Sequence, residues 1–196
     1  SSLSAWSGNL FTAVPIVGWG GRGPALGVGL FHNSASVDEY ITCGYGVEIS
    51  PGWSISYSGR IDATTHAPHV LVIEDDGTRN LFINDAGTYI APPGVFDTLV
   101  QTTTPNEWIL TRKFESKRIF SADGRLDRVV DSTGHTLTVV WETGVAIDRI
   151  AEIIDATGRK VQLEYVSGTD RLEQIVHPEH DPPLSGDLAR PTRTWT

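Results

Sequence analysis

An all-β fold of successive antiparallel hairpins is the architecture this sequence predicts, and three observations predict it. The first is a missing helical period. No window of a dozen residues sets apolar side chains at i, i+3, i+4 and i+7 without a Gly or Pro interrupting it. The second is short alternation, as in Leu26-Gly27-Val28-Gly29-Leu30, Trp53-Ser54-Ile55-Ser56-Tyr57 and Thr136-Leu137-Thr138-Val139-Val140-Trp141. Such runs, rich in β-branched and aromatic residues, suit a pleated surface with one face packed. The third is turn chemistry. Asp75-Asp76-Gly77, Asp85-Ala86-Gly87, Asp123-Gly124, Asp131-Ser132-Thr133-Gly134 and Asp155-Ala156-Thr157-Gly158 each lie between alternating runs. Asp starts a turn by bonding its side chain to the backbone, and the following Gly takes the positive φ that closes it.

The elements follow in chain order. A strand over Asn9–Val17 precedes a glycine-rich loop and a second strand over Ala25–Asn33. Ser34–Pro51 carries no assignable pattern. Strands then resume over Trp53–Ile61, Val70–Glu74, Thr78–Ile83, Tyr89–Ala91, Thr98–Thr102 and Trp108–Thr111. Beyond these the chain repeats. Leu126 aligns with Ile150, Val129 with Ile153, Asp131 with Asp155, Gly134 with Gly158 and Trp141 with Tyr165, always 24 residues apart. A third unit opens at Asp170-Arg171-Leu172. One hairpin alone is marginal, and stacking neighbours buries a shared apolar face. The organisation read from this is an irregular β segment at 1–106, hairpin repeats at 107–178, and a proline-rich tail at 179–196 that forms an exit strand or linker.

Composition narrows the function. Hydrophobic residues make up 39% of the 196, enough for a packed core, and the net charge is −9. That acidity argues against nucleic acid as a partner, because phosphate backbones demand clustered Lys and Arg. Lys113, Lys117 and Arg118 form the densest basic group and read as a solvated strand face. The lone cysteine, Cys43, permits no intrachain disulfide and reads as a buried thiol. No apolar run reaches the ~18–20 residues of a membrane span. The chain opens Ser1-Ser2-Leu3 and contains no Met, which reads as a processed product or an excerpt of a longer protein.

Phe120-Ser121-Ala122-Asp123-Gly124-Arg125-Leu126, followed by Val129-Val130-Asp131, Gly134 and Trp141, resembles the YD repeat of Rhs proteins. Leu163-Glu164-Tyr165 with Arg171-Leu172 resembles it again. Upstream, Gly8-Asn9-Leu10, the Gly-Arg-Gly-Pro loop at 21–24, Leu30-Phe31-His32-Asn33-Ser34, Gly52-Trp53-Ser54-Ile55-Ser56-Tyr57 and Trp108-Ile109-Leu110-Thr111-Arg112 are similar to the segment that precedes such repeats. The likeness spans residues 8 to 178, although the aromatic-Asp pair has decayed to Phe120-Ser121, Trp141-Glu142 and Tyr165-Val166. It implies a spiralling sheet of hairpins, forming a shell around a toxin or a rigid adhesive scaffold. Asp181-Pro182-Pro183 lacks the Asp-Pro-x-Gly arrangement, so self-cleavage is not carried over.

Other motifs are weaker. Gly18-Trp19-Gly20-Gly21-Arg22-Gly23 spells a dinucleotide fingerprint, but Pro24 and a strand follow where a helix is needed, so a loop is expected and no cofactor. His66 and His69 near Glu74, Asp75 and Asp76, and His177 and His180 with Glu179 and Asp181, are acidic-histidine groups without strong ligand geometry; no metal is expected. No nucleophile elbow appears, and no carboxylate pair stands out from the 24 acids. Trp53, Trp108 and Trp141 fall in the apolar phase of strands and are expected in the core. Trp19 and Trp195 remain as candidate partner or glycan contacts.

The reading that follows is a non-enzymatic, structural or assembly module, a shell segment or accessory subunit. The alternative is a cell-surface adhesion module holding glycans through exposed aromatics. Expected partners are other protein subunits, or the rest of a longer chain, met through an open edge strand or the C-terminal tail. The expected location is extracellular, at the cell surface or periplasmic.

Overall fold

A computed structural model describes residues 1–3, 9–35, 50, 52–143, 148–177 and 193–195. The unassigned stretch after Ser34, with Cys43, therefore lies mostly outside the described residues, as do Trp6, His180 and most of the proline-rich tail. Among the described residues the chain is all-β and antiparallel, with seventeen strands in a four-stranded and a 13-stranded sheet. No helix among them is long and apolar enough to cross a membrane.

The smaller sheet comprises β1 (Ser2–Leu3), β2 (Leu10–Trp19), β3 (Leu26–Asn33) and β4 (Trp53–Ile55), in that order. The expected strand Trp53–Ile61 is split by a turn at Tyr57. Tyr57 takes a left-handed φ of 69°, and the Ser58 hydroxyl donates to the Ile55 carbonyl at 2.6 Å. The chain turns there and leaves the first sheet. It re-enters as β5 (Arg60–Asp62), the edge of the larger sheet.

From β5 the order follows the sequence. It runs through β6 (Val70–Ile73), β7 (Arg79–Asp85), β8 (Thr88–Ile90), β9 (Thr98–Thr103), β10 (Asn106–Thr111) and β11 (Lys117–Ser121). Next come β12 (Leu126–Val130), β13 (Thr136–Glu142), β14 (Arg149–Ile154), β15 (Lys160–Tyr165) and β16 (Leu172–His177). β17 (Arg193–Trp195) returns antiparallel to β16 and sets Trp195 opposite Ile175. The period of two sends Val70, Val72, Phe82, Leu99, Trp108 and Leu110 to one face, where Leu26, Val28, Ile55 and Tyr57 of the first sheet join one core.

The 24-residue repeat has a physical meaning in this sheet. Phe120, Trp141 and Tyr165 face Leu126, Ile150 and Leu172 across the ladder, each beside a bulge that skips Asp127, Ala151 or Glu173. Trp141 Nε1 donates to the Leu126 carbonyl at 2.8 Å, and the Tyr165 hydroxyl to the Ile150 carbonyl at 2.7 Å. An aromatic with a polar tip thus serves twice, filling the core and satisfying a carbonyl beside the bulge. Charge repeats as well, since Arg125 pairs with Asp148 at 2.7 Å and Arg149 with Asp170 at 3.4 Å. Leu126, Leu137, Ile150, Ile153 and Val161 are fully buried beneath these contacts.

The β12–β13 and β14–β15 tips share one bonding scheme, built on Asp131 and Asp155. Asp155 Oδ1 accepts the Thr157 amide and hydroxyl, both at 2.8 Å, and the Arg159 amide at 3.0 Å. Its other oxygen accepts Arg159 Nε at 2.6 Å. Burial works against ionisation of Asp155, but these donors outweigh it and hold the carboxyl well below its ordinary range. Asp155→Asn should therefore cost about 2 kcal/mol at neutral pH. Because the folded value is the lower one, that stabilisation is complete above the unfolded value of about 4 and is lost as pH falls through the folded value. Urea titrations of both proteins should accordingly show the gap narrowing below about pH 4. A gap that stays constant down to acid unfolding would contradict the assignment.

Candidate functional site

The two sheets meet at the hairpin tips, and there the chain builds a groove. The Ser54 hydroxyl donates to the Asp75 carbonyl at 2.5 Å, and Asn33 Nδ2 to the Asp76 carbonyl at 3.3 Å. Three turns supply most of its lining. Gly77, at φ 81°, closes the β6–β7 tip, with the Gly77 amide donating to the Glu74 carbonyl at 3.0 Å. Gly94 and Glu115, at φ 87° and 63°, shape the β8–β9 and β10–β11 connections. Only Gly avoids a steric cost at such angles, so Glu115 carries local strain.

The floor is a network of ions. Arg118, only 9% exposed, reaches Glu74 Oε2 at 3.1 Å and Asp75 Oδ1 at 2.5 Å. Asp75 Oδ1 also accepts the Gly59 amide at 2.8 Å. Arg112 binds the same Glu74 oxygen at 2.5 Å and pairs with Asp97 on its other side. Burial alone would lower the Arg112 pKa, but the Glu74 and Asp97 carboxylates raise it above its usual value. Glu74 Oε1 and Arg118 Nε, both shut away from solvent, have no hydrogen-bond partner.

Phe96 lines the rim, and Phe114 stands just outside the lining, beside Lys113. Phe96 and Phe114 are 74% and 81% exposed, the largest values among the exposed apolar side chains described. The Lys113 ammonium lies 5.5 Å from one ring centroid and 5.7 Å from the other. Phe31 from β3 also lines the groove, which is open to solvent and has a volume of about 510 Å3. It can bind by apolar contact, cation–π contact and ionic attraction together.

Trp19 is half-buried, donates from Nε1 to Asp155 Oδ2 at 3.2 Å, and lies beneath the Arg159 guanidinium at 5.3 Å and beside the His177 ring at 5.8 Å. Its glycine loop seats on the repeat tips, where a Cβ on Gly21 would come within 2.4 Å of the Arg159 guanidinium. Trp195 stands in β17. Trp108 is buried as expected, whereas Trp53 and Trp141 are only half-buried. His69 Nδ1 accepts the Asn84 amide at 3.1 Å, and His66 is exposed. Among the described residues, no three His, Cys, Asp or Glu side chains cluster as a metal site would require. The basic group at 113–118 is no uniform solvated face, since Arg118 is buried and Lys113 caps the rim.

Sequence reasoning passed over Phe96, Asp97, Arg112 and Phe114. A signal was present, because a large aromatic inside a Gly- or charge-flanked turn, as in Gly94-Val95-Phe96 and Lys113-Phe114-Glu115, has no core to enter.

No family model matches the chain. Curated relatives do. It is 29% identical over 141 residues, 71% of its own length, to the tRNA3(Ser)-specific nuclease WapA of Bacillus spizizenii. The same figures hold for the tRNA nuclease WapA of Bacillus subtilis strain 168 and for the tRNA(Glu)-specific nuclease WapA of Bacillus subtilis subsp. natto. The chain spans about 6% of the length of these relatives.

These names overturn two expectations, that the chain is non-enzymatic and that it is a structural module or a glycan adhesin. The proteins it is 29% identical to over 141 residues are enzymes by name. The expectation failed because repeat pattern and composition report how a sheet packs, whereas chemistry lives in sites grafted on the fold.

Proposed function

We propose that this chain works as part of a nuclease that acts on tRNA. The observation that carries the proposal is the 29% identity across 141 residues to proteins named as tRNA nucleases. Sequence identity over most of a domain is a firmer tie than a shared fold, since one fold hosts many activities.

The chain's share of that work lies in contacts with polypeptide. Holding RNA needs clustered cations free to meet phosphates. Here Arg112, Arg118, Arg125, Arg128, Arg149 and Arg159 are each bound to a carboxylate, and the net charge is −9. The sheet edge formed by β17, or the C-terminal tail, is the surface for other subunits or for the rest of a longer chain. The bulge-and-aromatic ladder and the Arg–Asp series support membership of the Rhs/YD-repeat family, and the location proposed with it is extracellular, at the cell surface or periplasmic.

The test is direct. The protein that carries this chain, incubated with total cellular RNA and run on a denaturing gel, should convert tRNA into discrete fragments while ribosomal RNA stays whole. Intact tRNA after incubation with folded protein rules the nuclease proposal out.

A further inference from the structure

We propose that the groove at the hairpin tips is a binding site for a basic polypeptide segment, one that sets an Arg or Lys side chain between Phe96 and Phe114. The reading stands on the geometry of the groove and does not depend on the nuclease proposal.

Three observations point to this partner. The first is the ring pair. Two phenylalanines exposed at 74% and 81% lose apolar surface to water, yet nothing in the sheet's packing requires them. The second is what they already hold. Lys113 Nζ stands 5.5 Å and 5.7 Å from the two centroids, so the faces accept an ammonium, here one from the same chain. The third is the sign of the floor. Glu74, Asp75, Asp76 and Asp97 face Arg112, Arg118 and Lys113 there, and both guanidiniums are already committed to carboxylates. Four carboxylates against three cations leave an excess of one negative charge, and with both guanidiniums already paired the groove favours an incoming cation over a phosphate.

Apolar rings beside an acidic floor thus complement a segment that alternates basic and apolar residues. An RNA strand could stack its bases on the same rings, but it would have to bring its phosphates over the carboxylates. The charge pattern favours the peptide. Lys113 then acts as a competing occupant, filling the position that the partner's cation would take.

That competition gives a test in which binding can rise as well as fall. The probe is fluorescein-labelled nona-arginine, read by anisotropy against the full chain at low salt, with oligoglutamate and oligouridylate as competitors. Nona-arginine will meet any acidic protein weakly, so the variants decide. Phe96→Ala/Phe114→Ala should weaken binding about tenfold or more, because both ring faces are lost. Lys113→Gln should strengthen it by about fivefold, because the resident cation leaves. Both substitutions lie on the exposed rim, so circular dichroism should show the fold unchanged. If nona-arginine binding is absent, is indifferent to the ring pair, or weakens in Lys113→Gln, the proposal is overturned. If oligouridylate displaces the peptide and binds worse in Lys113→Gln, the groove takes RNA instead and the proposal is equally overturned. Tight, ring-dependent peptide binding would stand even if the parent protein cleaved no tRNA.

Discussion

Gly124→Ala should lower the unfolding free energy by about 4 kcal/mol, a large loss because its Cβ would meet backbone. Gly124 is buried at φ 90°, and a Cβ there would lie 2.0 Å from the Ile61 carbonyl oxygen. The neighbouring atom is backbone, so nothing can swing aside. The Gly124 carbonyl accepts the Ile61 amide at 2.9 Å, and Arg60 bridges Arg125, which draws β5 against the start of β12. Relief of the clash therefore breaks a buried backbone bond and parts two strands distant in sequence. Gly134 is the control. It has the same φ of 90°, but a Cβ there would meet nothing within 4 Å. Gly134→Ala should cost only about 1–2 kcal/mol, the price of a left-handed angle alone. Urea midpoints followed by circular dichroism would compare the two, and equal losses would sink the close-approach argument.

The same position shows what sequence could and could not reveal. Gly124 aligns with Asp148 and Asp170 in the following units, and a pattern reader sees only a decayed repeat. The structure gives each residue its own reason. β5 approaches the first unit and leaves no room for a side chain, while in the later units the aspartates take up Arg125 and Arg149. Strands such as Leu26–Asn33 and Thr136–Glu142 were legible because alternation is local and its period is set by the pleat. The break inside Trp53–Ile61 was not, because the left-handed Tyr57 is fixed by tertiary contacts: its hydroxyl accepts the Gly27 amide at 3.2 Å. The groove was less legible still. Glu74 and Arg112 are 38 residues apart, and Phe31 reaches the site from another sheet. No window of sequence contains such a pairing.

Arg118→Met is the other substitution expected to act strongly, with a loss of about 3–5 kcal/mol. The two side chains are similar in length, so volume is nearly conserved and the effect is electrostatic. Glu74 would keep Arg112, but Asp75 would keep only the Gly59 amide for its charge. A carboxylate drawn out of water without a counter-ion is the costly part. Asp75 is also a joint in the fold, because its carbonyl accepts Ser54 from the first sheet and its side chain holds the turn that leads into β5. Loss should therefore appear as loosening between the sheets as well as a lower midpoint, with faster amide exchange at Ser56 and Gly59. Arg118→Lys should recover less than half of the stability, since one ammonium cannot span Glu74 and Asp75 as the guanidinium fork does. Removing both partners gives the decisive comparison. In Arg118→Met/Asp75→Asn the stranded charge is gone, so the double variant should be more stable than the sum of its single losses by about 1–2 kcal/mol. Simple additivity would mean that water already screens the cluster, and the groove floor would then be a solvated surface, with no fixed charge to offer a partner.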